Sequence, residues 1–126
     1  MMSMNEEEIP RYKTIKSYAP NYFRTQDSEH RGAIVLFKDQ VIEGILPTSV
    51  AALCDSHFET WVGYKPELIL LGCGDQQIFL RTEQQAIFIQ NRISIDSMST
   101  PAACRTFNIL MSEERNAMAI LFPITI

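Results

Sequence analysis

The sequence predicts a small three-layer α/β domain: a mixed central sheet, helices packed on it, and an N-terminal antiparallel β layer. Three observations lead there. Leu68-Ile69-Leu70-Leu71 is wholly apolar, as in a strand covered on both faces. From Leu68 onward, strand and helix signals alternate to a final apolar strand, Ala117–Phe122. Ala33–Phe37, rich in β-branched and aromatic residues, is followed by Lys38-Asp39-Gln40 as a hairpin turn.

Taken in order, residues 1 to 11 read as a flexible polar tail carrying Glu6-Glu7-Glu8, and 12–126 as a single domain. Tyr12–Tyr18 and Tyr22–Thr25 are short apolar pieces parted by a Pro20-Asn21 turn. Gln26–Gly32 reads as a polar loop, and Val41–Leu46 as the return strand after Ala33–Phe37. Thr48 or Ser49 can cap a helix through Val50 and Leu53 that continues or restarts through Phe58 and Trp61, until Gly63 and Pro66 stop it. A helix from Arg81 or Thr82 runs through Ile89. Arg92–Ser97 alternates as a strand, and a helix starts at Pro101. A right-handed crossover makes the 68–71 and 93–97 strands parallel.

Composition excludes several function classes. A formal charge of −4, with 11 scattered basic residues, opposes nonspecific nucleic-acid binding. No stretch nears the ~20 apolar residues of a membrane helix, so no direct membrane insertion is expected. Three widely spaced cysteines, Cys54, Cys73 and Cys104, fit reduced thiols, and the expected compartment is the cytoplasm. His30 and His57 lack a Cys or carboxylate at ligand spacing, so neither metal nor other cofactor is expected.

The chemistry-bearing residues gather at one predicted edge. Gly72-Cys73-Gly74-Asp75 follows the apolar strand, and two parallel strands would bring it beside Ser99-Thr100-Pro101. Glycines admit close backbone approach, and a helix N-terminus with Arg105 one turn on favours an anion. On a helical projection Ala103, Phe107, Leu110 and Met111 form the core face. Arg105, Asn108 and Ser112 face away. Arg105 is therefore an anion clamp, a partner contact or a plain surface arginine. Cys104 is a core or boundary packing residue, or else a nucleophile or redox thiol, with no histidine nearby in sequence. Ser49, Ser97 and Ser99 lack the strand–Gly-x-Ser-x-Gly–helix context of a nucleophile elbow.

Leu70–Asp75, the block Met98–Asn108 and the strand Ala117–Phe122 resemble the small Mth-type domain family, over roughly residues 12 to 124. The resemblance implies a three-layer fold with a mixed sheet and no established catalysis. It also implies kinship with a mitochondrial assembly factor that works by binding another protein. It carries over Gly72, Gly74, Thr100, Ala103, Arg105, Thr106 and Asn108. Two departures stand out: Ser99 replaces the family's frequent Asp, and Cys73 its frequent Thr. The leading expectation is a non-enzymatic binding or assembly-factor-like module that holds a protein partner or a small anion at Gly72, Cys73, Gly74, Asp75, Thr100, Arg105 and Asn108. The alternative is an enzyme acting on a small anionic substrate through Arg105, with Cys104 or Asp75 supplying the chemistry. A structural homo-oligomer is a third reading.

Overall fold

The computed structural model describes residues 13–126, so the expected tail and Tyr12 lie outside it. A five-stranded mixed sheet in the order β5-β4-β8-β6-β7 forms the central layer. Its strands are β4 (Ile34–Phe37), β5 (Gln40–Glu43), β6 (Leu68–Cys73), β7 (Ser94–Met98) and β8 (Ala117–Phe122). β6 runs parallel to both β7 and β8, whereas β4 is antiparallel to β5 and β8. The apolar content of β6 and β8 follows from this: both are interior strands with helices on either side.

The two faces bury separate cores. On one, Phe58 and Trp61 of α1 (Asp55–Gly63) and Phe88 of α2 (Thr82–Gln90) pack over Ile69, Leu71 and Ile120. Phe58 meets Trp61 and Phe88 edge-on, with ring centroids 5.3 and 5.5 Å apart. This makes α1 a lid over that core. On the other face, α3 (Thr100–Ser112) places Ala103, Cys104, Phe107 and Met111 against Leu70, Ala119 and Leu121.

A second, three-stranded antiparallel sheet joins the α3 side through Ile15 and Phe23. It comprises β1 (Ser17–Ala19), β2 (Tyr22–Arg24) and β3 (Glu29–Arg31). The N-terminal third therefore divides: β1–β3 make the added layer, and β4–β5 extend the central sheet. The Pro20-Asn21 and Lys38-Asp39 turns occur where expected, with Asn21 and Lys38 at positive φ.

Several boundaries depart from the sequence reading. Glu29–Arg31 is a strand inside the expected loop. Glu29 and Arg31 face outward and are held across the sheet, with Tyr22 donating to Glu29 at 2.8 Å and Arg31 over the Tyr22 ring, while His30 between them turns inward. β5 stops at Glu43, where Gly44 turns at φ +79°. Val50–Ala52 is a 3-10 turn, and the helix restarts at Asp55. β6 continues through Gly72 and Cys73, so the loop begins at Gly74. β7 starts only at Ser94, after Arg92 turns at positive φ.

Candidate functional site

The parallel register pairs Gly72 with Met98, so β6 and β7 end together. The Gly74 loop and the start of α3 consequently emerge side by side, as the crossover requires. Thr100 joins them. The Gly74 N–H donates to Thr100 Oγ1 at 2.8 Å, and the Thr100 N–H donates back to the Gly74 carbonyl at 2.8 Å. The Thr100 hydroxyl itself donates to the Phe122 carbonyl at the end of β8, at 2.5 Å. One fully buried side chain thus ties a loop, a helix start and a strand end.

Glycine is required beside this tie. A Cβ on Gly72 would lie 3.0 Å from Leu121 Cδ2, 3.0 Å from Thr100 Oγ1 and 3.1 Å from Ala103 Cβ. The absent side chain lets α3 approach β6. Gly74 adopts φ +93°, a conformation other residues rarely take.

The start of α3 keeps few donors for an anion. Thr100 N–H is bound to Gly74, and Pro101 has none. Ala102 N–H donates to the Ser99 hydroxyl at 3.4 Å, and Ala103 N–H to the Ser99 carbonyl at 2.9 Å. Ser99 is thus a genuine N-cap. The first-turn amides that favour an anion are bonded internally.

The remaining predicted residues part company. Asp75 accepts from both the Thr125 N–H, at 3.0 Å, and the Thr125 hydroxyl. Those bonds hold its carboxyl below the ordinary carboxylate value. Arg105 is exposed on the outer face of α3 and has no ion pair among the described residues. Asn108 faces the added β layer rather than open solvent. Its Oδ1 accepts from the Ile15 N–H at 2.9 Å, and its Nδ2 donates to the Ile15 carbonyl at 2.8 Å.

The thiols divide by environment. Cys104 is 3% exposed, and burial pushes its thiol up to about 12 despite the adjacent Arg105. Cys73 is 8% exposed and also raised by burial, its thiol directed at the Leu71 and Ile78 carbonyls. The two sit on opposite faces of the sheet, and all three cysteines are free. Cys54 differs. It is exposed at the N-cap of α1, and hydrogen bonds from the Ser56 hydroxyl and the Ser56 and His57 amides lower its thiol pKa. The sequence left open whether the helix continues or restarts before Phe58; the restart at Asp55 puts Cys54 at the N-cap.

His30, weighed in the sequence only as a metal ligand, has partners the sequence did not indicate. Its Nε2 lies 2.7 Å from Ser28 Oγ, and its Nδ1 meets Glu43 Oε2 of β5. The order is that of a hydrolase relay, but Ser28 Oγ is also held at 2.8 Å by the buried Thr25 hydroxyl. This chain of bonds fastens β3 to β5.

More telling is the loop after Asp75. Phe79 is 76% exposed and Ile78 46%, and Ile89 of α2 is 70% exposed. The run Ile78-Phe79-Leu80 belongs to neither helix nor strand, which is the signal the sequence held for it. Phe79 and Leu80 line a groove of about 190 Å³ against Ile95 and Ser97 of β7. Gln77 donates to the Ser97 carbonyl at 2.7 Å and closes one end of this stretch.

Among the described residues no group of three or more His, Cys, Asp or Glu side chains could hold a metal. None of the described helices is long and apolar enough to cross a membrane.

The family model for proteins of unknown function DUF498/DUF598 matches residues 15–122. The chain belongs to this family. Differently named proteins are similar to it. It is 29% identical over 122 residues to the 13 kDa major membrane protein of Francisella tularensis subsp. holarctica, covering 96% of this chain and 99% of that one. It is 27% identical over 124 residues to the human NADH dehydrogenase [ubiquinone] 1 alpha subcomplex assembly factor 3, covering 97% of this chain and 67% of that protein. The solution structure of a Mth938-like domain from Bordetella pertussis superposes with a TM-score of 0.79 at 22% identity, over 97% of this chain and 92% of that one. That likeness bears out the Mth-type fold.

Proposed function

We propose that the chain is a non-enzymatic protein-binding module, assembly-factor-like in that it holds a subunit of a larger complex. The observation that carries this reading is Phe79, exposed beside Ile78 on a loop anchored by Asp75–Thr125 and Gln77–Ser97. A large aromatic left in water beside other apolar side chains is the character of a contact surface. The similarity to an assembly factor for NADH dehydrogenase supports a protein client.

On this reading the sequence-predicted residues take different parts. Gly72, Cys73, Gly74, Thr100 and Asn108 build the platform, whereas Asp75 and Arg105 reach its surface. A protein partner fits better than a small anion, because the start of α3 uses its own amides. The enzymatic alternative through Arg105 and Cys104 loses its nucleophile, since a buried thiol raised to about 12 carries almost no thiolate at neutral pH. The reduced cysteines favour a cytoplasmic setting.

Quantitative co-purification from the native cell tests the reading. Phe79→Ser is expected to lower recovery of a discrete client at least several-fold while leaving the unfolding midpoint unchanged, as for an exposed position. Equal client recovery by the variant and the wild type contradicts it.

A further inference from the structure

We propose that β7 is a docking edge to which a partner adds an extended strand that alternates apolar and basic residues; this rests on the protein-binding reading above and names its mode. β7 is the last strand of the central sheet, and no described strand pairs with its outer side. The side on which each residue bonds follows from one contact. The Ser94 N–H donates to the Glu67 carbonyl at 3.1 Å, so Ser94 turns its backbone groups toward β6. Backbone groups alternate along a strand. Asp96 and Met98 therefore face β6, and Ile95 and Ser97 present theirs outward. The Gln77 bond to the Ser97 carbonyl fits this assignment.

That bond also matters for docking. Exposed sheet edges are usually blunted by charge, proline, bulges or covering elements. Here a side-chain amide stands where a partner strand's N–H would donate. The incoming strand would displace Gln77 at Ser97 and pair with Ile95.

The two faces of the edge set the partner's chemistry. Ile95 packs toward the α1–α2 core and Met98 toward the α3 core. By alternation Asp96 lies on the α3 side, where it is exposed and has no ion pair among the described residues. An added strand would thus set apolar residues over Phe79, Leu80 and Ile95, in the 190 Å³ groove that Gln77, Gln85 and Asp96 also border. It would set Lys or Arg beside Asp96. The net charge of −4 favours the same basic partner. A second copy of the chain fits worse, because two-fold pairing about the middle of β7 would oppose two Asp96 carboxylates.

Fluorescence anisotropy with about ten-residue probes tests this: a Val–Lys alternating peptide, a Val–Glu counterpart, and a Val–Lys peptide N-methylated at alternate residues. The full-length protein is expected to bind Val–Lys roughly five- to ten-fold more tightly than Val–Glu. Asp96→Lys should reverse that order. Ile95→Pro, which removes an outward N–H together with the Ile95 side chain, should abolish Val–Lys binding, and so should N-methylation, which leaves the protein unchanged. Equal binding of both charge types overturns the proposal. Undiminished binding of the N-methylated peptide, or no binding of any probe, does the same without requiring a variant to fold. A client that still cross-links at position 79 in Ile95→Pro overturns strand addition but leaves the protein-binding reading standing. Loss of Val–Lys binding in that variant together with the charge reversal in Asp96→Lys supports it.

Discussion

Gly74 and Thr100 hold each other by two reciprocal hydrogen bonds, each 2.8 Å, across the carboxyl edge of the central sheet. The loop that carries Phe79 therefore leaves the sheet from a point fixed to the first residue of α3. The Thr100 hydroxyl extends the tie to the Phe122 carbonyl of β8.

Thr100→Val keeps the shape and removes the hydroxyl, leaving a buried N–H and a buried carbonyl unpaired. It should cost about 2–3 kcal/mol, read as a lower urea midpoint at unchanged slope. Thr100→Ser retains the hydroxyl and should recover most of that loss. Equal midpoints for Val and wild type would remove the tie from the account.

Asn108 grips both backbone groups of Ile15, 93 residues away in sequence. Asn108→Ala should free this attachment at about 1–3 kcal/mol. Amide exchange should speed up first at Ile15, with the interior of β8 little changed. Unchanged protection at Ile15 contradicts this role.

Asn108 also marks how far the sequence could be read. The α3 projection correctly separated Ala103, Phe107 and Met111 from Arg105, because a 3.6-residue period is a local property. It set Asn108 outward, since nothing local says that a small sheet will cover that face. β6 and β8 were legible because interior strands must be apolar throughout, and the parallel crossover from β6 to β7 because strand and helix signals alternate there. β3 was not, because a strand with no apolar residue carries no burial signal and exists through its pairing with β2. Gly72 and Gly74 were singled out as a ligand loop, whereas their small size first serves the approach of α3 and the turn at Gly74. The docking edge was the least legible part, because Phe79 is defined by what fails to cover it.

Thiol chemistry separates the cysteines. Iodoacetamide at neutral pH should modify Cys54 rapidly and Cys73 and Cys104 only on unfolding. The Cys54 rate should rise with pH at a midpoint below the ordinary thiol value of 9.0, because its hydrogen bonds favour the thiolate. Peptide mapping after timed quenching gives the order. Modification of folded Cys104 at a rate near that of Cys54 would reopen the nucleophile reading.

Asp75 supplies a pH dependence of known sign. Its carboxyl is held below the unfolded value of 3.8 by Thr125, so its contribution is present above that pH. It is lost as pH falls through the lower folded value. The Thr125 amide should exchange faster in that acid range, and Asp75→Asn should flatten the dependence. A Thr125 amide insensitive to acid in the wild type contradicts the contact.

Site-specific photocross-linking from position 79 is the most direct measurement. With a benzoylphenylalanine replacing Phe79 in the native cell, irradiation should join the chain to one discrete client protein. The same group at Ser112, at the far end of α3, should not. A cross-link at Ser112 with none at position 79, or none at either, would contradict a protein-binding surface built on the Phe79 loop.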